Sequence, residues 1–344
     1  MALLWVDGFE GYGQVDGGLI NEELARRYSV NGPYIRAQND GRFGGWSACV
    51  AWDKFTWFMT PSLTTDDTFI VCFAVKWLSS IGTNRFCEMW SDGTRGMGIR
   101  VLSTGEVDIY RGTTFIERST LSPIKIGKWH WIEFKVVCDN SAGSYEVKVD
   151  GVTVLSASGV DTQQNLAYHD QVIFRGTGSN SSNTPRIDDL FIMDGTGGSY
   201  NDFIGQRRVL AITPNADTAD VDWTVSGGSD HYALVDDLDP DDDTNYVEDS
   251  VTDEEDIWEY SDISAFDGSV DALSLITDVR ITDASPYDLK TVVKSGGTKY
   301  DSSAETIGNS DYAMKDRLMV TDPDTGSAWT QNGINNVEMG VKVG

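Results

Sequence analysis

Glu106 and Asp108, in the run Glu106-Val107-Asp108-Ile109-Tyr110-Arg111, have the spacing that comes nearest to catalysis. Alternate positions of a strand face the same way, so both carboxylates would project from one side of a sheet. Two carboxyl groups about 5 Å apart are what a retaining glycoside hydrolase uses, one as nucleophile and one as proton donor. The next position that such chemistry would need is Arg111, and a guanidinium does not give up its proton. The blander reading is a solvated face carrying Glu106, Asp108 and Tyr110. A second acidic pair, Glu88 and Asp92, lacks the spacing, and Asp92-Gly93 reads more simply as a turn. Gly-x-Ser-x-Gly, phosphate-loop and zinc-helix patterns do not occur. The expectation is that the chain is not an enzyme.

Charge narrows the partners. The 344 residues carry a formal charge of -28, and Lys and Arg never cluster in a run. Phosphate backbones need such clusters, so no nucleic-acid partner is expected. From 209 to 279 there is no Lys or Arg at all, and a solubilising face is the simplest reading. No apolar run approaches the length of a membrane span, so no membrane insertion is expected. The start, MALLWVDGFEGYG, lacks a basic stretch before its apolar residues, and no signal peptide is expected. Cysteines 49, 72, 87 and 138 have no metal-ligand spacing. Cys72 and Cys138 read as buried thiols, and a Cys49–Cys87 bridge is one option.

The elements that would position these residues are strands. Residues 126–156 organise the chain. His130, Ile132, Phe134 and Val136 alternate with Trp131, Glu133 and Lys135, which predicts a strand with one dry face. Tyr145, Val147 and Val149 alternate next, and Asp150-Gly151 is a strong hairpin signal before 152–155. Residues 68–78 are apolar on both phases, which predicts a central strand whose second face is also covered. Shorter strands are predicted at 85–90, 97–102, 106–111, 171–175 and 187–193. Only 20–28 suggests a helix, with Glu22 and Glu23 first and Arg26 and Arg27 last. A boundary is placed at 196/197, giving domains 1–196 and 197–344. The second is β-rich and acidic, with strands at 207–214, 270–281 and 337–343 among others, and a sandwich is expected for it too.

Trp129, Tyr145, Val147, Val149, Asp150 and Gly151, then Arg186-Ile187-Asp188-Asp189-Leu190-Phe191-Ile192, resemble the later strands of the concanavalin-A-like lectin/glucanase and laminin-G-like jelly rolls. The opening Asp7-Gly8-Phe9-Glu10 and the phrase 41–47 are similar to that family too. The resemblance implies an all-β fold: an antiparallel jelly-roll sandwich over 1–196. It also implies the glucanase signature Glu-x-Asp-x-x-Glu, which this chain does not complete. Sugar binding on such a scaffold uses exposed aromatics, and Trp46, Trp52, Trp57, Trp90 and Tyr110 are the candidates. Eight of the eleven Trp lie in the first 131 residues, so most are core by default. No cofactor is certain. Calcium is a habit of the family, and Asp7, Glu10, Asp188 and Asp189 would meet if the terminal strands pair.

The second part, through Arg207, Pro214, Trp223, Tyr232, Asp236-Asp237 and Tyr246-Val247, resembles a module that follows lectin-like domains in phage proteins. The resemblance implies a non-catalytic structural protein of a tailed-phage virion. Such a protein is made in the host cytoplasm, contacts other virion proteins and binds a host surface glycan as a tail adhesin, fibre or collar part. A capsid decoration protein and a glycan depolymerase or glucanase are the alternatives. A homo-oligomer is expected, with trimers common in such parts.

Overall fold

The computed structural model describes residues 2–12, 22–32, 35–50, 55–177, 184–283 and 285–344. The chain is almost entirely β and divides into two compact units, Met1–Leu210 and Ala211–Gly344.

The first unit holds two antiparallel sheets of sandwich type. One runs, from edge to edge, Val152–Val160, Gly143–Val149, His130–Val137, Thr68–Trp77, Pro185–Asp194, Ser47–Val50 and Ile35–Gln38. Leu3–Asp7 pairs along Pro185–Asp194 as well. The other runs Thr114–Arg118, Val107–Arg111, Thr94–Val101, Cys87–Ser91, Gln171–Arg175, Trp57–Met59 and Ser29–Asn31. Aromatic side chains join the two. Phe73 of the first sheet meets Phe174 of the second at 5.0 Å between ring centroids, and Trp77 meets Phe86 at 5.0 Å. Burying such rings contributes roughly 1.5–3 kcal/mol each, which sets the scale of the core.

The organising hairpins form as the alternation predicts. Gly143–Val149 buries every second residue, and Ile132, Phe134 and Val136 are fully buried. Asp150 and Gly151 both take positive φ, at 52° and 81°, the geometry of a tight two-residue hairpin turn. The predicted helix forms as Glu22–Arg27.

Thr68–Trp77 is buried on both faces, and its second cover is a segment rather than a third sheet. Gly205 N–H donates to Glu133 at 2.8 Å, Lys135 pairs with Asp202 at 3.1 Å, and Lys148 lies 4.2 Å over the Phe203 ring. Val209 N–H donates to Asp189 at 2.8 Å. Residues 197–210, read from sequence as the start of the second domain, therefore strap the first. The strand expected at 207–214 is displaced for the same reason, and Pro214–Val221 is the strand instead. The Cys49–Cys87 bridge does not form: the two thiols lie in different sheets, and all four cysteines are free and buried.

In the second unit a sheet runs Pro214–Val221, Glu255–Tyr260, Glu338–Val343, Tyr287–Ser295 and Thr298–Asp301, with Glu305–Ile307 pairing on Tyr287–Ser295. Leu273–Val279 and Ala313–Met319 form a separate ribbon. Trp329, Val293, Met339 and Ile334 pack with that ribbon's Leu273, Leu275 and Met319. The cation-free stretch gains its counterions from outside itself: Lys299 bonds Asp220 at 3.0 Å and Arg280 bonds Asp243 at 2.6 Å. Among the described residues no helix is long and apolar enough to cross a membrane.

Candidate functional site

Strand pairing decides which residues share the outer face of the second sheet. Phe174 faces Phe73 across the core and pairs with Cys87, so Cys87 points inward and Glu88 outward. Buried Ile99 and Ile109 point inward too, which turns Gly98, Arg100, Asp108 and Tyr110 outward. Phe58 pairs with Phe174 on the inner side and leaves Trp57 and Arg175 on the outer one.

Glu88 is the centre of that face, with no exposed surface. Its Oε2 accepts from Arg175 Nε at 2.8 Å, Trp90 Nε1 at 3.1 Å and Arg95 Nε at 3.2 Å, and Arg85 Nε lies 2.9 Å from Oε1 as an ion pair. Gly98 makes room: a Cβ there would stand 3.0 Å from Glu88 Cγ. Rings and guanidiniums interleave around it. Arg175 lies over Trp90 at 5.2 Å and Trp57 at 5.8 Å, and Arg95 over Trp90 at 5.6 Å. Arg85 and Arg100 each lie 5.2 Å from the Tyr110 ring.

Asp108 is not the solvated carboxylate expected from sequence. It is fully buried, bonded by Arg118 Nε at 2.7 Å and Arg100 Nε at 3.2 Å. Burial pushes its carboxyl up, but the Arg118 and Arg100 bonds together outweigh it and hold it below the usual range. Glu106 lies just before its strand and bonds the Thr104 hydroxyl. An Asp108 held ionised by two guanidiniums is a poor proton donor.

Of the five aromatic candidates, Trp57, Trp90 and Tyr110 meet on this face. Trp46 does not: it sits near Glu10, which accepts its backbone N–H at 2.9 Å. Trp52 lies outside the described residues.

No family model and no curated protein matches the chain. Solved structures do. Alginate lyase Aly36B is 14% identical over 56% of this chain and 97% of its own, with a TM-score of 0.38. Domain 4 of AbnA, an extracellular arabinanase from Geobacillus stearothermophilus seen with arabinotriose, is 19% identical over 47% and 76%, with a TM-score of 0.34. An endo-β-1,4-glucuronan lyase from the fungus Trichoderma reesei is 11% identical over 46% and 86%, with a TM-score of 0.35. The expectation that this chain is not an enzyme is corrected here. It rested on a missing carboxylate triplet, and a missing motif carries no conclusion about activity.

The expected acidic cluster does assemble, because Leu3–Asp7 pairs with Pro185–Asp194. Its oxygens are engaged from within. Asp7 accepts from Tyr12 and Tyr28 hydroxyls at 2.5 and 2.6 Å and from Arg27 at 2.9 Å. Asp188 accepts Arg42 N–H at 2.6 Å, and Arg42 Nη1 bonds Asp189 at 3.1 Å. Burial, and then the Asp189 charge, push the Asp188 carboxyl up to about 8, and burial also raises Glu10 and Asp189. Among the described residues no group of three or more acids, histidines or cysteines is placed to hold a metal ion. Arg42 supplies the positive charge there instead.

Sequence reasoning missed the arginines. Arg85, Arg95, Arg100, Arg118 and Arg175 are scattered over the sequence and meet only through strand pairing. The one available signal was phase: Glu88 and Trp90 alternate with the apolar Cys87 and Met89.

Proposed function

We propose that the first unit is a glycan-binding or glycan-processing sandwich, and that the chain of sugars lies along the outer face of its second sheet. The meeting of Trp57, Trp90 and Tyr110, from three separate strands, with guanidiniums around a buried carboxylate carries this reading. Rings offer flat apolar surface to sugar C–H groups, and fixed donors offer hydrogen bonds to hydroxyls, the combination that carbohydrate sites use. Folding alone explains a Trp in the core, but it does not explain partly buried rings gathered on one outer face.

Affinity electrophoresis against a panel of soluble polysaccharides tests it. At least one is expected to retard the protein, and Trp90→Ala is expected to weaken that binding about tenfold or more, the effect of about 1.4 kcal/mol. Retardation unchanged in both Trp90→Ala and Tyr110→Ala would remove this face from the reading. Chromatography of the same incubations separates binding from turnover: new short oligosaccharides would make the protein a depolymerase. Display of this face on a tailed-phage particle, as a homo-oligomeric attachment part, is the setting we propose. There several weak sites would act together. Immuno-electron microscopy of purified particles checks it, and unlabelled particles would count against that setting.

A further inference from the structure

We propose that the ligand of this face is an acidic glycan, one whose sugars carry carboxylate or sulfate groups. This rests on the glycan-binding reading above and adds the sign of the ligand's charge. The chain as a whole has 54 acidic and 26 basic residues. Around Glu88 and Asp108 the balance reverses, with Arg85, Arg95, Arg100, Arg118 and Arg175 against those two carboxylates and the nearby Glu106. Stability does not call for this many. Each carboxylate needs one good guanidinium partner, and bringing further like charges together costs free energy unless something compensates.

Two of the arginines have donors to spare. Arg95, a third exposed, spends only Nε on Glu88. Arg118, half exposed, spends Nε and Nη2 on Asp108 and keeps Nη1. Held by a buried carboxylate at one edge, each presents its outer edge in a fixed direction. A guanidinium edge matches the paired oxygens of a carboxylate or sulfate ester. The Trp90 ring beside Arg95 would take the sugar's apolar side. A neutral glycan would leave those charged donors to water and gain nothing from their number. The net negative charge of the rest of the chain acts over longer range and is screened beyond about 8–10 Å at ordinary salt, so the local cluster decides at contact.

The test uses the full chain with polygalacturonate, its carboxyl-reduced derivative, dextran, dextran sulfate and a single-stranded DNA of matched charge. Titration calorimetry at two salt concentrations gives the affinities. Polygalacturonate or dextran sulfate is expected to bind at least tenfold tighter than its uncharged counterpart, with the preference falling at high salt. Whichever of the two shows it identifies carboxylate or sulfate. Arg95→Gln is expected to cut that preference about fivefold, and Arg118→Gln, at a more exposed position, gives a second reading should Arg95→Gln disturb the fold. Carboxyl-reduced and neutral chains that bind as tightly as the charged ones, and lose binding in Trp90→Ala, would overturn the acidic inference and leave the glycan site standing. No binding by any polysaccharide would sink both. DNA bound as tightly as the acidic chains would show mere charge attraction and overturn the glycan class.

Discussion

Glu88→Ala is expected to lower the stability of the first unit by about 3 kcal/mol or more. The carboxylate is fully buried and holds Arg175, itself nearly buried, together with Arg85 and Arg95. Removing one member of a buried ion pair typically costs about 3–5 kcal/mol, because the partner charge is left without compensation. Arg85 and Arg95 reach some water, which places this case toward the lower end. For a unit of this size the shift in Tm is roughly 6–12 °C, read by calorimetry. Glu88→Gln keeps two hydrogen-bonding atoms but not the charge, and a smaller loss is expected. If Glu88→Ala melts like the parent chain, the carboxylate does not organise this face.

His169 is expected to make the first unit sensitive to acid. It is almost wholly buried against Gly96, where a Cβ would lie 2.2 Å from Nε2, and Nε2 accepts Met97 N–H at 3.3 Å. That bond places the proton of the neutral ring on Nδ1, which has no partner. Burial lowers its pKa to about 4, against about 6.5 when unfolded. The unfolded chain therefore takes up the proton first. The neutral ring's contribution is whole above about pH 6.5 and is lost as pH falls through 4, in total about 3 kcal/mol. The neighbouring Asp170 and the distant Asp188 are both raised by burial and act in the opposite sense, so the measurement is a difference. His169→Gln keeps an acceptor for Met97 and cannot charge. The gap in unfolding free energy between parent and variant is expected to shift by about 3 kcal/mol in the variant's favour between pH 7 and pH 4. A constant gap would show that the ring is hydrated or already charged.

The sheets were legible in the sequence where the signal is local. Alternation over 143–149 and the Asp150-Gly151 turn act between near neighbours, and the hairpin follows from them. The doubly apolar 68–77 also announced a covered second face. What covers it was not legible, because residues 199–209 have no period and reach the sheet by single contacts such as Gly205 N–H on Glu133. The site was half legible for the same reason. Trp57, Trp90 and Tyr110 could be named as aromatics, but their meeting depends on which strands neighbour which, and that order is 107–111, 94–101, 87–91, 171–175, 57–59. The same order gathers arginines that no run in the sequence displays. Carboxylate spacing misled for Asp108, since alternation predicts a direction and not the guanidiniums waiting there.

The strap over Thr68–Trp77 also fixes where the chain can be cut. A fragment ended at 196 would bare the face that carries Cys72, Ala74, Trp131 and Phe191 together with the carboxylates of Glu133 and Asp188, all buried in the whole chain. A face of that kind is an adhesive surface for other molecules of the same fragment. Expressed alone, 1–196 is expected to collect in the pellet and 1–210 in the supernatant. Fragments chosen from the visible end of the last strand would thus be discarded as misfolded when they lack only their lining.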